Sequence, residues 1–128
     1  MKTNRPIPPL LNWWVIWIAL LSGLPMFFIF LGTSAPGNDR SSLSLFVPLV
    51  ATALSISVVL RWVVIPRLEN PQIALQMFIM GMATAEAICF FGIFLAPAYK
   101  TLAFVLSFLG ILQFIPLFAG KFCQPPKP

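Results

Sequence analysis

Four long apolar runs dominate this sequence and restrict its fold more than any other feature. The runs cover about residues 12–32, 43–65, 73–96 and 101–120, and none contains more than one charged side chain. An α-helix needs about 20 apolar residues to cross the hydrocarbon core of a bilayer. The sequence therefore predicts an all-α membrane protein with four transmembrane helices.

The composition indicates the same class of protein. Hydrophobic residues make up 59% of the chain and charged residues 9%, whereas soluble domains average about 45–50% and about 25%. So few polar side chains cannot cover the outside of a soluble fold, and we expect the lipid bilayer to be a partner. The eight Lys and Arg residues outnumber the three Asp and Glu residues. They are scattered singly rather than clustered, so we expect no nucleic-acid binding.

The segments between the runs are short and polar. They read TSAPGNDRSS at 33–42, PRLENPQ at 66–72 and PAYK at 97–100, and all of them contain proline. Helices joined by short connections run antiparallel, so we expect an antiparallel up-down bundle that forms one membrane domain over residues 1–128. We also expect the first run to be retained, because it is too long for the apolar region of a signal peptide.

The distribution of positive charge predicts the orientation of the chain. With four spans, both termini and the 66–72 connection share one side, which carries six basic residues against two on the other side. Cytoplasmic segments are enriched in Lys and Arg. Both termini are therefore predicted to be cytoplasmic, and the protein is expected in the inner or plasma membrane if it is bacterial. The six basic residues are Lys2, Arg5, Arg61, Arg67, Lys121 and Lys127, and the two are Arg40 and Lys100.

Few side chains in this sequence are suited to catalysis or to metal binding. The chain has no histidine, and its two cysteines, Cys89 and Cys123, fit no metal or redox spacing. It contains no recognisable nucleophile–base pair, metal-ligand set or phosphate loop. We therefore expect a protein that is not an enzyme and that binds neither a cofactor nor a metal.

Glu86 is the side chain with the clearest potential for function. It lies about 13 residues into the third run, which at about 1.5 Å per residue places it near the middle of the bilayer. An ionisable group at that depth is costly and is by default a functional candidate. Hydrocarbon disfavours the charged form, so we expect a protonated carboxyl at neutral pH. Two roles stay open: a proton or ion carrier, and a structural carboxyl that donates a hydrogen bond to a neighbouring helix.

The sequence offers Glu86 no basic partner within easy reach. Arg61 lies about 13 Å or more away along the helix axis, and Lys100 lies near the opposite end of the span. Polar side chains of the other runs are then the candidate partners. They are Ser22, Thr52, Ser55, Ser57, Ser107 and Gln113.

Small residues surround Glu86 on the third run. Gly81, Ala85 and Gly92 share one stripe of the predicted helix. Small side chains allow the backbones of two membrane helices to approach closely. The stripe is therefore predicted to be a helix-packing surface.

The segment 81–93, which reads GMATAEAICFFGI, resembles the C-terminal helix of the proteolipid, or c-type, ring subunits of rotary ATP synthases. In that family a glutamate followed by alanine and then by an aromatic–glycine pair carries the translocated proton or sodium ion. The segment PRLENPQ is similar to that family's polar hairpin loop. The resemblance implies that Glu86 is the ion-binding carboxyl. The second run, FVPLVATALSISVVLRWVV, departs from the family because it has no glycine.

Two functions are compatible with these observations. The first is a non-catalytic accessory, assembly or oligomerising subunit that acts through helix–helix contacts, in a homo-oligomer or a larger membrane complex. The alternative is a proton- or ion-coupled membrane element, a transporter or c-subunit-like protein, in which Glu86 is the carrier carboxyl.

Overall fold

A computed structural model describes residues 9–33 and 43–123 of the chain. It confirms the all-α fold class, with helices α1 (Leu10–Gly32), α2 (Leu43–Arg67), α3 (Pro71–Leu95) and α4 (Lys100–Leu112). Four helical stretches are long and apolar enough to cross a membrane, the last of them running from Pro97 to Phe122. The predicted 33–42 loop lies almost wholly outside the described residues. So do Lys2, Arg5, Arg40 and Lys127, four of the basic residues on which the predicted orientation depends.

Helix α3 lies at the centre of the bundle. It packs most extensively against α4 and α2, and it also contacts α1. Helix α1 packs against α3, α4 and the final helical turns, and it has little contact with α2. Residues 68–70 join α2 to α3, and the 3₁₀ turn Pro97–Tyr99 joins α3 to α4. These short connections make the consecutive helices from α2 to α4 antiparallel.

An aromatic cluster closes one end of the bundle. The fully buried Trp13 of α1 stacks on Phe122, with ring centroids 5.8 Å apart and planes at 6°. Trp13 also lies 5.0 Å from Phe78 of α3, centroid to centroid. The start of α1 and the end of the fourth span therefore lie at the same end, which we call the terminal end. The other end contains Gly32 and Pro97–Tyr99, and we call it the hairpin end.

The start of α3 is fixed by a side-chain cap. The Asn70 side chain accepts hydrogen bonds from the backbone N–H groups of Gln72, at 2.9 Å, and Ile73, at 3.5 Å. Pro71 occupies the first helical position, where its missing N–H costs nothing. The sequence predicted a start near residue 73, and the cap together with Pro71 accounts for the earlier start.

Helix α2 contains one π-helical turn, Leu60–Val64, just before Pro66. Proline has no N–H, and its ring crowds the carbonyl four residues earlier. The wider π winding relieves this crowding, and here the Ile65 N–H bonds the Leu60 carbonyl. The π turn contains Arg61 and Trp62, both of which contact the fourth span.

The fourth apolar run, predicted as one helix over 101–120, is divided near its end. Helix α4 ends at Leu112, two tight turns follow, and a 3₁₀ helix spans Pro116–Phe122. Pro116 cannot donate to the Leu112 carbonyl, and proline also disfavours helical geometry at the residue before it. Ile115 accordingly has non-helical backbone angles, φ −47° and ψ 126°. Proline chemistry thus explains the division.

Candidate functional site

Glu86 lies on the side of α3 that faces α1. A Cβ atom placed on Gly23 of α1 would lie 3.7 Å from the Glu86 Oε1 atom, which is ordinary van der Waals contact. The Glu86 side chain is neither fully buried nor fully exposed. Because Gly23 has no side chain, the carboxyl has room at the boundary between α1 and α3.

The surface around this carboxyl is apolar. One turn beyond Glu86 and Gly23, the rings of Phe90 and Phe27 meet with centroids 5.1 Å apart. Met26 is 59% exposed. It lies with Gly23 and Phe27 in an open apolar groove of about 310 Å³. We define the α1–α3 seam as Gly23, Met26 and Phe27 together with Glu86 and Phe90.

Within residues 9–33 and 43–123, the Glu86 carboxyl makes no hydrogen bond and no ion pair. The polar side chains predicted as hydrogen-bond partners of Glu86 either form hydrogen bonds with other groups or form none. Ser22, Thr52 and Ser55 donate to carbonyls of their own helices. Gln113 bonds Ser57, and the buried Ser107 hydroxyl has no partner in this part of the chain. The interpretation of Glu86 as a donor to one of these side chains is therefore not realised within the described chain.

The two basic residues considered for Glu86 bind backbone carbonyls instead. Lys100 donates from Nζ to the carbonyl of Gly32 at 2.8 Å, where its charge meets the C-terminal end of α1. Arg61 donates from Nε to the carbonyl of Gln113 at 2.7 Å. Glu86 is thus a carboxyl with neither a cation nor a donor supplied by the described residues.

The stripe of Gly81, Ala85 and Gly92 is buried against the fourth span of the same chain. A Cβ atom on Gly92 would overlap the Cβ atom of Ala103, and one on Gly81 would overlap the ring of Phe114. Between them, a Cβ atom on Gly110 of α4 would lie 2.9 Å from the Cβ atom of Ala85. The small residues are therefore used for packing inside the chain, and this stripe is covered by α4 and by Phe114, which follows it in the fourth span.

A polar network at the division of the fourth span was missed by the sequence analysis. The Gln113 side chain donates from Nε2 to the Ser57 hydroxyl at 3.0 Å and accepts from Trp62 Nε1 at 3.3 Å. The Gln113 carbonyl accepts from Arg61 Nε, and the nearby Ile111 carbonyl accepts from Trp17 Nε1 at 3.1 Å. Pro116, three residues after Gln113, is the sequence feature that indicates such a network. Proline interrupts the helix, so carbonyls of the preceding turn lose their backbone donors and can accept side-chain hydrogen bonds.

The described residues contain no group of His, Cys, Asp and Glu side chains that could hold a metal ion. No protein-family model matches the sequence, and neither the curated proteins nor the solved structures include a similar chain. The resemblance of residues 81–93 to ring subunits thus stays a prediction. The chain is a helical membrane protein whose candidate site is the α1–α3 seam.

Proposed function

We propose that this protein is a non-catalytic accessory, assembly or oligomerising subunit of the membrane that acts by helix–helix contact at the α1–α3 seam. The observation that carries the proposal is the Glu86 carboxyl, which is partly exposed at the seam and unbonded within the described chain. Hydrogen-bond partners are scarce in hydrocarbon, where a polar group without a hydrogen bond costs on the order of several kcal/mol of free energy. A second transmembrane helix on the seam would supply the missing partner.

The chemistry of the seam favours a second copy of this chain as the occupant. A protonated carboxyl has both a donor and an acceptor, so two Glu86 side chains can satisfy each other across a two-fold axis. Gly23 leaves space beside each carboxyl, and the apolar groove next to it offers surface for close packing. The glycine stripe of α3 is already covered by the fourth span, whereas the seam combines a small residue with a carboxyl at a partly exposed surface.

Light scattering of the purified protein tests this proposal. We expect the protein part of the detergent particle to have twice the mass of the 14.2 kDa chain. Met26→Trp should shift the particle toward monomer, because a bulky ring at the seam blocks close approach. Overpacking typically costs about 1–3 kcal/mol of free energy. At the seam, this cost would raise the dissociation constant of the dimer about five- to 150-fold.

Val59→Trp is the matched control, because Val59 is 48% exposed on α2, away from the seam. This variant should keep the dimeric mass. A wild-type protein that is monomeric at every concentration would overturn self-association. Recovery of the native protein as a stoichiometric component of a larger complex would instead identify a different chain as the occupant of the seam.

A second candidate function is supported by the same carboxyl. A proton- or ion-coupled element needs a carboxyl that can be reached and is not held by a cation, and Glu86 has no ion pair within the described residues. The local resemblance of residues 81–93 to ring subunits also favours this role.

The proposed orientation places the terminal end in the cytoplasm, on the basis of the six-to-two distribution of basic residues. Cys123 follows directly on the span that ends at Phe122 and can report the side of this end. We expect a membrane-impermeant maleimide to label Cys123 in inverted vesicles and not in intact cells. Cys123→Ser should abolish the labelling, because the remaining Cys89 is 1% exposed. Labelling of Cys123 in intact cells would show that the terminal end lies outside the cytoplasm and would contradict the proposed orientation.

The labelling should also depend on pH. Burial raises the pKa of the Cys123 thiol above its ordinary value. The reactive species is the thiolate, and a raised pKa leaves less thiolate at neutral pH. The labelling rate at pH 7 should therefore be lower than that of an ordinary cysteine thiol, and it should increase as the pH rises.

A further inference from the structure

Arg61 is partly buried and its guanidinium is held in one place. Its Nε donates to the Gln113 carbonyl at 2.7 Å. The guanidinium carbon lies 4.1 Å from the ring centroid of Phe118 and 4.9 Å from that of Trp62. A guanidinium has five N–H donors, and the four on the two Nη atoms have no bond within residues 9–33 and 43–123.

No described carboxylate compensates the charge of Arg61. The carboxylates in this part of the chain are Glu69 and Glu86, and neither forms an ion pair. Free donors on a partly desolvated cation are costly, and an anion bound to them would offset that cost. The fixed, planar fork of two Nη groups matches the geometry of a phosphate group, which it can bind with two parallel hydrogen bonds.

The guanidinium lies at the terminal end of the bundle. Arg61 is six residues before Arg67, where α2 ends, which is about 9 Å at about 1.5 Å per residue. Its side chain points toward Phe118, in the last 3₁₀ helix. Lys121, three residues further on, donates from Nζ to the Pro66 carbonyl at 3.0 Å. Two cations and the amphipathic Trp62 thus lie at the terminal end, and a long Arg side chain at the end of a span can extend toward lipid phosphates.

We propose that Arg61 is a binding site for the phosphate of an anionic phospholipid, held by the two Nη groups. The apolar surface beside the guanidinium favours a lipid over a free phosphate ion as the ligand. Trp62 is 62% exposed, and Val58, one turn earlier on α2, is 45% exposed. Both offer contact for an acyl chain, whereas a soluble phosphate would gain nothing from them. This inference does not depend on Glu86 or on the seam.

Native mass spectrometry of the protein released from nanodiscs of equal phosphatidylglycerol and phosphatidylcholine content tests the site. We expect the wild type to retain one phosphatidylglycerol in preference to phosphatidylcholine, by about fivefold, the factor that matches about 1 kcal/mol for a cation near an anionic surface. Arg61→Gln should lose this preference. Arg61→Lys, which keeps the charge but not the fork, should retain part of it. Arg67→Gln removes an exposed charge from the same end and should keep the retained lipid.

Three outcomes would overturn the proposal. The first is a wild type that retains both lipids equally. This result needs no variant, so it decides the question even if Arg61→Gln fails to fold. Equal loss in Arg61→Gln and Arg67→Gln would indicate a diffuse charge effect. Displacement of the retained lipid by millimolar inorganic phosphate, with phosphate bound in its place, would identify a soluble anion as the ligand.

Discussion

Gly92→Ala is expected to lower the free energy of unfolding of the bundle by about 1–3 kcal/mol, the usual cost of overpacking a closely packed contact. The new methyl group would overlap the Cβ atom of Ala103 and lie 3.3 Å from the Cα atom of Lys100. Both neighbours are backbone or are attached directly to it, so neither can move away by rotating a side chain. The α3–α4 hairpin must therefore open to admit a single methyl group, and Gly92→Leu should prevent its closure.

The other glycines of the bundle provide a graded control. Gly81→Ala should cost less than Gly92→Ala, because the atoms that its methyl group meets belong to the far end of the Phe114 ring, which can shift. Gly120→Ala has no heavy atom within 4 Å of the new Cβ atom and should change stability by no more than about 0.5 kcal/mol. Denaturant unfolding in bicelles measures all three. Equal effects at Gly92 and Gly120 would contradict the close α3–α4 contact.

The spans could be predicted from sequence because the physical constraint is simple. A helix that crosses hydrocarbon must be long and apolar, and the four predicted runs correspond to the four described stretches. Boundaries were less predictable, since they depend on local chemistry such as the Asn70 cap at the start of α3. The division of the fourth run depends on Pro116, whose effect competes with a continuous apolar pattern.

The candidate site could be predicted only in part. Sequence identifies Glu86 as an ionisable group at mid-span, because its depth follows from counting residues along a helix. It does not show which neighbour the carboxyl faces. That depends on the rotation of α3, which the structure places with Gly81 and Gly92 against the fourth span and Glu86 toward Gly23. The network around Gln113 was also not predictable, because it joins residues far apart in the sequence. Arg61 is 52 positions from Gln113, and Ser57 is 56 positions from it.

Glu86→Gln is expected to leave folding and self-association unchanged under the function that we propose. An amide of nearly the same shape keeps one donor and one acceptor, so two copies can still bond across the seam. Glu86→Leu removes both groups and should weaken the dimer by about 1 kcal/mol, or about fivefold in the dissociation constant. Light scattering over a dilution series measures the difference, with wild type and Val59→Trp as references.

The same two variants distinguish the carrier role. If Glu86 carries a proton or an ion, Glu86→Gln should assemble normally and yet be inactive, because an amide does not exchange a proton at neutral pH. For a proton carrier, flux into liposomes, followed with a pH-sensitive dye, would then be present in the wild type and lost in both variants. Equal flux in wild type and in Glu86→Gln would exclude proton transport by Glu86.

The paired-carboxyl dimer requires a neutral Glu86 at pH 7, and hydrocarbon favours that form because it disfavours the charged one. A hydrophobic carbodiimide, which reacts with protonated carboxyls, should label Glu86 more strongly at low pH and should not label Glu86→Gln. Infrared spectroscopy should show a protonated carboxyl band at pH 7 that disappears in the same variant. A band of the ionised form at pH 7 would mean that a cation or water reaches the seam. In that case the paired-carboxyl dimer would be wrong, because two charged carboxylates repel each other and have no proton to share.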